Sequence, residues 1–286
     1  MLPPSGTPTN GTPTNAERIA QAAQRIAQVS DTPRLDAEIL LAAALGISRS
    51  RLLARLFEQS DAPDFDAMVV RRLAYEPLAY ILGEWEFFSL TFKVLPPLLV
   101  PRPETEHLVE AVLDHMGCRP ARVLDLCTGT GCVAIAIAHS APNSRVTATD
   151  INPLAISVAA ENAQRNAVSD RTGFILQDLF PNPDEPFDAI CSNPPYIEES
   201  AWDELSPVIR LHEDPNALLA GPDGLDIVRR IIAEAPQYLN PGGLLAMEID
   251  GAQRPAVEKL LRDGGYHDVH FRQDLAGIDR IACATM

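Results

Sequence analysis

The chain from Arg122 onward is predicted to be an α/β domain, with a mostly parallel sheet and helices on both faces, preceded by a small helical domain. Three observations predict it. Short apolar runs that read as strands alternate there with longer helical stretches. Acidic residues and glycines recur at the carboxyl ends of those strands, where open α/β sheets bind ligands. Residues 16–83, in contrast, keep a helical period.

The 286 residues, 46% of them hydrophobic, can build one large or two smaller cores. Lys and Arg number 23 against 39 Asp and Glu, a formal charge of −16. That balance opposes general binding to a phosphate backbone and is compatible with a basic protein partner. Five cysteines, Cys118, Cys127, Cys132, Cys191 and Cys283, form no C-x-x-C pair. Neither a disulfide framework nor a metal site is expected, and reduced thiols fit a cytoplasmic location. No apolar run approaches the roughly 18 residues of a membrane span, and the N-terminus lacks a charged-then-apolar signal pattern.

Residues 1–15 hold a near-repeat, Gly6-Thr7-Pro8-Thr9-Asn10 and Gly11-Thr12-Pro13-Thr14-Asn15. Such a tract has nothing to bury and is expected to be a disordered tail. In residues 16–83, Ile19, Ala22, Ala23, Ile26 and Val29 share one helical face. Thr32-Pro33 reads as a cap with proline in the first turn, and Gly46 as a stop. Ser48 is expected to cap a short helix through Leu56, and Asp64 another containing Met68, Val69 and Leu73. Pro77 interrupts that pattern.

Residues 84–100 turn aromatic and alternating, with Trp85, Phe87, Phe88, Phe92 and Val94. A β-hairpin is expected, serving as the linker between domains. The loop Val100-Pro101-Arg102-Pro103-Glu104-Thr105-Glu106 then leads into a helix with carboxylates in its first turn. It opens the expected second domain, residues 101–286. Arg102 and Glu104 are candidates for the substrate entrance or for interdomain ion pairs.

Strands are expected at Val123–Leu126, Val146–Thr149, Gly173–Leu176, Asp188–Cys191 and Leu244–Ile249. Helices are expected at Val133–Ala138, Pro153–Asn166, Ile227–Tyr238 and Pro255–Arg262. Val269–Phe271 and Ile278–Ala284 are expected to close the sheet as an antiparallel pair at one edge.

The candidate site follows the strand ends. After the first strand comes Asp125-Leu126-Cys127-Thr128-Gly129-Thr130-Gly131, whose glycines permit tight turns and close ligand approach. The third glycine of a dinucleotide fingerprint is missing, which argues against a pyrophosphate grip. Asp150 ends the second strand, about 20 residues beyond the glycines, where an acidic residue can accept from ribose hydroxyls. Asp178, after the third strand, can accept from an exocyclic amine, with Leu179 beside it. Together these outline a nucleoside pocket, though each alone is equally compatible with a common turn or cap.

The fourth strand ends in Asn193-Pro194-Pro195-Tyr196. Two prolines lack N–H donors and fix φ, so the backbone there is stiff and extended. The Asn193 side-chain oxygen and the Pro194 carbonyl can then face one spot, with the Tyr196 ring nearby. Two rigid acceptors and a ring suit a planar –NH2 group. Taken alone, the same four residues are equally compatible with a proline-stiffened turn.

In combination, the chain resembles the S-adenosylmethionine-dependent methyltransferases of the seven-strand, Rossmann-like class that act on amino nitrogens. More narrowly, it resembles the HemK-type peptide-chain release factor glutamine methyltransferases, from about Leu35 to the end. Pro77–Gly83, Pro101–Glu106, Asp125–Gly131, Asn193–Tyr196, Asp223-Gly224-Leu225-Asp226 and Asp274–Gly277 carry the likeness. Two departures stand out. Cys127 occupies a position where the family usually has glycine, which also resembles a sister family methylating a glutamine of a large-subunit ribosomal protein. Leu179 stands where members often place an aromatic residue near adenine.

The resemblance implies S-adenosylmethionine as cofactor. It also implies methyl transfer to the amide of a glutamine in a Gly-Gly-Gln motif of release factors. Asn193, Pro194 and Tyr196 would be catalytic, and Asn193 through Tyr196, Pro195 included, would bind substrate. Cys127, Thr128, Gly129, Thr130, Gly131, Asp150, Asp178, Leu179 and Asn193 would hold the cofactor. The helical domain would dock the protein substrate, and the enzyme would act as a cytoplasmic monomer that binds neither membrane nor nucleic acid directly. The rival readings are the ribosomal-protein glutamine methyltransferase and a nucleic-acid amino methyltransferase, since flipped bases also present planar amines.

Overall fold

The computed structural model describes residues 12–182 and 185–286. Most of the expected tail, residues 1–11, lies outside them. The tail's last residues do not: Thr14 caps the first helix in a reciprocal capping box with Glu17, and Asn15 is fully buried. Asn15 Nδ2 donates to the Arg55 carbonyl at 2.9 Å.

The chain divides into two compact units, the first ending at Leu82 and the second running from Gly83 to Met286. The first is all helical: α1 (Asn15–Ile26), α2 (Pro33–Ala44), α3 (Arg49–Leu53), α4 (Phe65–Leu73) and α5 (Leu78–Leu82). Ile19, Ile26, Leu40, Leu41, Leu52, Phe65 and Val69 form its core. Ser48 accepts from Arg51 N–H and caps α3 as expected. Asp64 precedes α4 but makes no capping bond, because its own backbone is already helical. Inside the unit, Arg72 is paired with Asp36 at 2.7 Å, both nearly buried; losing either partner would strand a buried charge.

The second unit opens with an antiparallel hairpin, β1 (Glu84–Phe87) and β2 (Leu90–Lys93). The sequence predicts this hairpin as a linker; in the structure it is part of the second unit's core. Phe87 and Phe92 meet edge-on and pack with Leu108, Val112 and Ile135. Burying two aromatic rings ties the hairpin to this core more strongly than a connecting role would require.

After a 3-10 turn at Pro103–Thr105, α6 (Glu106–Met116) leads into the sheet. The sheet strands are β3 (Arg122–Leu126), β4 (Arg145–Asp150), β5 (Thr172–Leu176), β6 (Phe187–Ser192), β7 (Leu239–Glu248), β8 (His267–Gln273) and β9 (Asp279–Thr285). Their order is β5-β4-β3-β6-β7-β9-β8; the first five run parallel, while β9 is antiparallel to both neighbours. The period of two places Val123, Ala189, Cys191, Leu244 and Ala246 on one face, against α6 and α7 (Cys132–Ser140). Leu124, Leu126, Ile190, Leu245 and Met247 fill the other, against α10 (Asp226–Glu234) and α11 (Arg254–Asp263). The helix α8 (Pro153–Arg165) follows β4, its N-terminus capped by Asn152. Pro236, in a 3-10 turn, keeps α10 shorter than expected. Between β6 and α10 lie short turns and one four-residue helix, α9 (Pro207–Arg210), which the sequence does not announce.

The strand order reverses direction at β3, which has β4 on one side and β6 on the other. The crevice of an open α/β sheet lies at such a point, outside the strands' carboxyl ends.

Candidate active site

A cavity of about 360 Å³ opens there, within the range of small-ligand pockets. Among the described residues, four carboxylates line it, Asp125, Asp150, Asp178 and Asp214, and Arg102 is the one lysine or arginine in its wall. Leu98, Ala155, Leu179, Leu219 and Ile227 supply apolar surface. The acidic balance suits a ligand that carries positive charge.

The loop after β3 is shaped by backbone conformation. Cys127, Gly129 and Gly131 all have positive φ, at 59°, 55° and 80°. Only glycine adopts that region without strain, so Cys127 sits in a conformation that glycine would occupy more easily. Burial pushes the Cys127 thiol up to about 12, with the Asp150 charge adding to it, which leaves the thiol unreactive at neutral pH. A side chain at Gly129 would meet no protein atom within 4 Å, so the open surface there is backbone. At Gly131 a Cβ would lie 2.8 Å from the Ala159 Cβ; this glycine lets the loop pack on α8 and is not in the cavity wall.

Asp150, the last residue of β4, accepts from Gly129 N–H at 2.9 Å and from Asn152 N–H at 2.9 Å. Burial raises its carboxyl above the ordinary range, and these backbone donors oppose the rise. Asp178 lines the cavity and is held by both terminal nitrogens of Arg230, at 3.2 and 3.0 Å. Leu179 is buried in the wall with φ 57°, its carbonyl accepting from Thr149 Oγ1 at 2.7 Å.

Asn193 and Pro195 line the cavity; Pro194 is buried between them, and Tyr196 is not among the lining residues. The Tyr196 phenol donates to Glu248 Oε1 at 3.1 Å. The turn is braced on its far side. Gln253 Nε2 donates to the Tyr196 carbonyl at 2.9 Å, and Ile197 pairs with Leu219. A Cβ at Gly224 would fall 2.2 Å from that Tyr196 carbonyl, which accounts for the glycine of Asp223–Asp226. Asn193 Nδ2 donates to Thr105 Oγ1 at 3.1 Å.

Arg102 grips both oxygens of Glu213, at 2.8 and 2.7 Å, within the second unit. Glu104 is outside the cavity wall. None of the six histidines lines the cavity, and among the described residues no cluster of His, Cys, Asp and Glu could hold a metal ion.

Glu213 and Glu248 escape the sequence reading of the site, while Thr105 and Asp125 enter it only as members of motifs, with no role of their own. The signal for Glu248 is a lone carboxylate closing an otherwise apolar strand. Asp125 has a similar signal inside β3. It is 1% exposed, accepts from Thr128 Oγ1 at 2.6 Å and is approached by Cys191 Sγ at 3.7 Å. Burial lifts its carboxyl to about 7.

Comparison with known proteins adds a second kind of observation. The model of the PrmC N-terminal domain matches residues 17–83, and that of the methyltransferase small domain matches residues 104–214. The release factor glutamine methyltransferase of Rhodopirellula baltica is 43% identical over 264 residues, 88% of this chain and 89% of its own length. That of Moorella thermoacetica is 42% identical over 271 residues, 92% and 95% of the two chains. That of Vibrio cholerae is 43% identical over 256 residues, 88% and 89%. Among solved structures, the hMettl16 catalytic domain superposes with a TM-score of 0.58 at 18% identity, covering 76% of this chain and 81% of its own. A 16S rRNA methyltransferase of T. thermophilus, solved with AdoMet and guanosine, gives 0.53 at 18% identity, covering 71% and 49%. At such identities these two show a shared fold alone.

Proposed function

The chain belongs to the release factor glutamine methyltransferase family, and from that premise we propose how its residues carry out the reaction. The protein methylates the side-chain amide nitrogen of a glutamine in peptide chain release factors, within the Gly-Gly-Gln motif. S-adenosylmethionine, when bound, supplies an electrophilic methyl group on a cationic sulfur.

The cavity fits such a cofactor by its acidic lining and by the bare backbone at Gly129. Asp150 would accept from the ribose hydroxyls. Asp178 and Leu179 would flank the base, and the loop Cys127–Gly131 would let the ligand approach the backbone closely. An aliphatic Leu179 gives less stacking than an aromatic ring would.

An amide nitrogen is a poor nucleophile, because its lone pair is delocalised into the carbonyl. Asn193 Oδ1 and the Pro194 carbonyl would accept its two N–H groups. That orients the nitrogen and draws electron density onto it. Holding reactants in an attack geometry can supply up to roughly 7–11 kcal/mol, with preorganised dipoles adding to it. The methylated nitrogen then releases its proton to water, so no histidine is needed as a base. The observation that supports this reading most directly is Asn193 in the wall of the acidic cavity, with its Nδ2 already held by Thr105.

The finer parts of the proposal concern partners. Residues 16–83 dock the release factor, and the enzyme works as a monomer in the cytoplasm without binding nucleic acid. The charge of −16 supports the absence of nucleic-acid binding, and the free thiols support a reducing compartment. Among the described residues no helix is long and apolar enough to cross a membrane. The ribosomal-protein and nucleic-acid alternatives are not favoured, since the full-length relatives carry the release-factor name.

The deciding experiment is incubation with labelled S-adenosylmethionine and purified release factors, followed by peptide mapping. Label on the Gly-Gly-Gln glutamine is expected. Label elsewhere, or none, would remove the substrate assignment.

A further inference from the structure

We propose that Glu248 and Thr105 are positioning residues for methyl transfer: Glu248, acting through Thr105, dictates which end of the Asn193 amide faces the cavity. The inference rests on Asn193 being the acceptor for the substrate amide.

Glu248 ends β7 and is 2% exposed. Its Oε2 accepts from Thr105 Oγ1 at 2.6 Å, and its Oε1 from the Tyr196 phenol at 3.1 Å. Burial raises the Glu248 carboxyl above its ordinary range, and the bonds from the Thr105 and Tyr196 hydroxyls oppose the rise; as a carboxylate it only accepts, so both hydroxyls then donate to it. A hydroxyl has one proton, and that of Thr105 is directed at Glu248. The Thr105 oxygen can therefore only accept from its other partner, Asn193, at 3.1 Å. This sets the Asn193 amide with its NH2 toward Thr105 and its Oδ1 turned away. The reverse orientation would press two acceptors together with no proton between them, in a place where Thr105 is 2% exposed and water cannot intervene.

The arrangement also stiffens the turn. Asn193 and Tyr196 are the first and last residues of N-P-P-Y, and both are tied to one carboxylate, Tyr196 directly and Asn193 through Thr105. Two prolines between the tied ends leave the backbone little freedom. Glu248 thus holds both ends of the turn from a sheet strand, the most rigid element available.

The test uses the full chain with four single variants and one double variant. Thr105→Val keeps the shape and removes the hydroxyl; Thr105→Ser keeps the hydroxyl. Glu248→Gln offers one acceptor where two are needed. Asn193→Ala checks the underlying reading. Single-turnover methyl transfer to release factor at saturating S-adenosylmethionine is measured beside cofactor affinity by calorimetry. For Thr105→Val and Glu248→Gln, turnover should fall roughly 10–100-fold, as small misplacements of reacting groups do. Cofactor affinity and KM for release factor should stay within about threefold, while Thr105→Ser stays near the unmodified rate. Adding Asn193→Ala to Thr105→Val should cost no more than Asn193→Ala alone, because both act on one interaction. The proposal is overturned if Thr105→Val transfers methyl at the unmodified rate, or if Thr105→Ser is as slow as Thr105→Val. If Asn193→Ala itself is fully active, the amide-acceptor reading fails first; if only Asn193→Ala is slow, the relay alone fails.

Discussion

Gly129 N–H donates to Asp150 Oδ2 at 2.9 Å, so the loop after β3 is pinned to the last residue of β4. One carboxylate thereby shapes the glycine turn and still has lone pairs for a ligand. Asp150→Ala should weaken S-adenosylmethionine binding by about 1–3 kcal/mol, the range for leaving a buried hydrogen-bonding group without its partner. Calorimetry checks it, and unchanged affinity would take Asp150 out of the cofactor site.

Asn193→Ala should lower turnover much more than cofactor affinity, since the amide is held most tightly as methyl transfers. The loss is expected on the order of 10²–10³-fold, as for removal of one preorganised polar group at a reacting centre. Asn193→Asp keeps an acceptor oxygen but loses the NH2 that Thr105 accepts, so it should fall between alanine and asparagine. Single-turnover rates at saturating cofactor rank the three. Equal rates for alanine and asparagine would reduce N-P-P-Y to a structural turn.

Asp125 predicts a pH dependence of stability. Its carboxyl is raised by burial from 3.8 to about 7, so the folded state keeps the proton over a range where the unfolded state releases it. Its contribution to stability is full below about pH 4 and is lost as pH rises to about 7. Asp125→Asn cannot ionise yet can still accept from Thr128. Relative to this variant, the unmodified protein should lose stability between pH 4 and 7, on the order of 4 kcal/mol at most. Urea unfolding of the ligand-free protein across that window measures the difference; parallel pH curves for the two proteins would contradict it.

The hairpin decides where the helical unit can be removed. A chain beginning at Gly83 keeps Phe87 and Phe92 in the core and should bind S-adenosylmethionine with ordinary affinity, yet methylate intact release factor poorly. A chain beginning at Leu99 lacks both rings; a Phe→Ala change in a core already costs about 3–5 kcal/mol. It should unfold at markedly lower denaturant. Full activity of the Gly83 chain on whole release factor would end the docking role of residues 16–83.

The order of strands and helices was legible in the sequence because periodicity, proline and glycine act locally. Asn193 could be placed at a strand's end from two prolines and an apolar run alone, and the glycine turn and Asp150 from their place after strands. Sequence pattern also marked Cys127 as a departure from the family's usual residue. Only the backbone, with φ at 59°, explains why glycine is the easier choice there. Other features required the tertiary structure. Phe87 and Phe92 look like any alternating aromatics until the helices they pack against are known. Thr105 lies 88 residues from Asn193 and 143 from Glu248, and no spacing rule joins them. Which way the Asn193 amide points depends on where a single hydroxyl proton goes, that of Thr105, which is donated to Glu248. That choice is set by burial and by the count of donors and acceptors in one small volume, which exists only once the chain has folded.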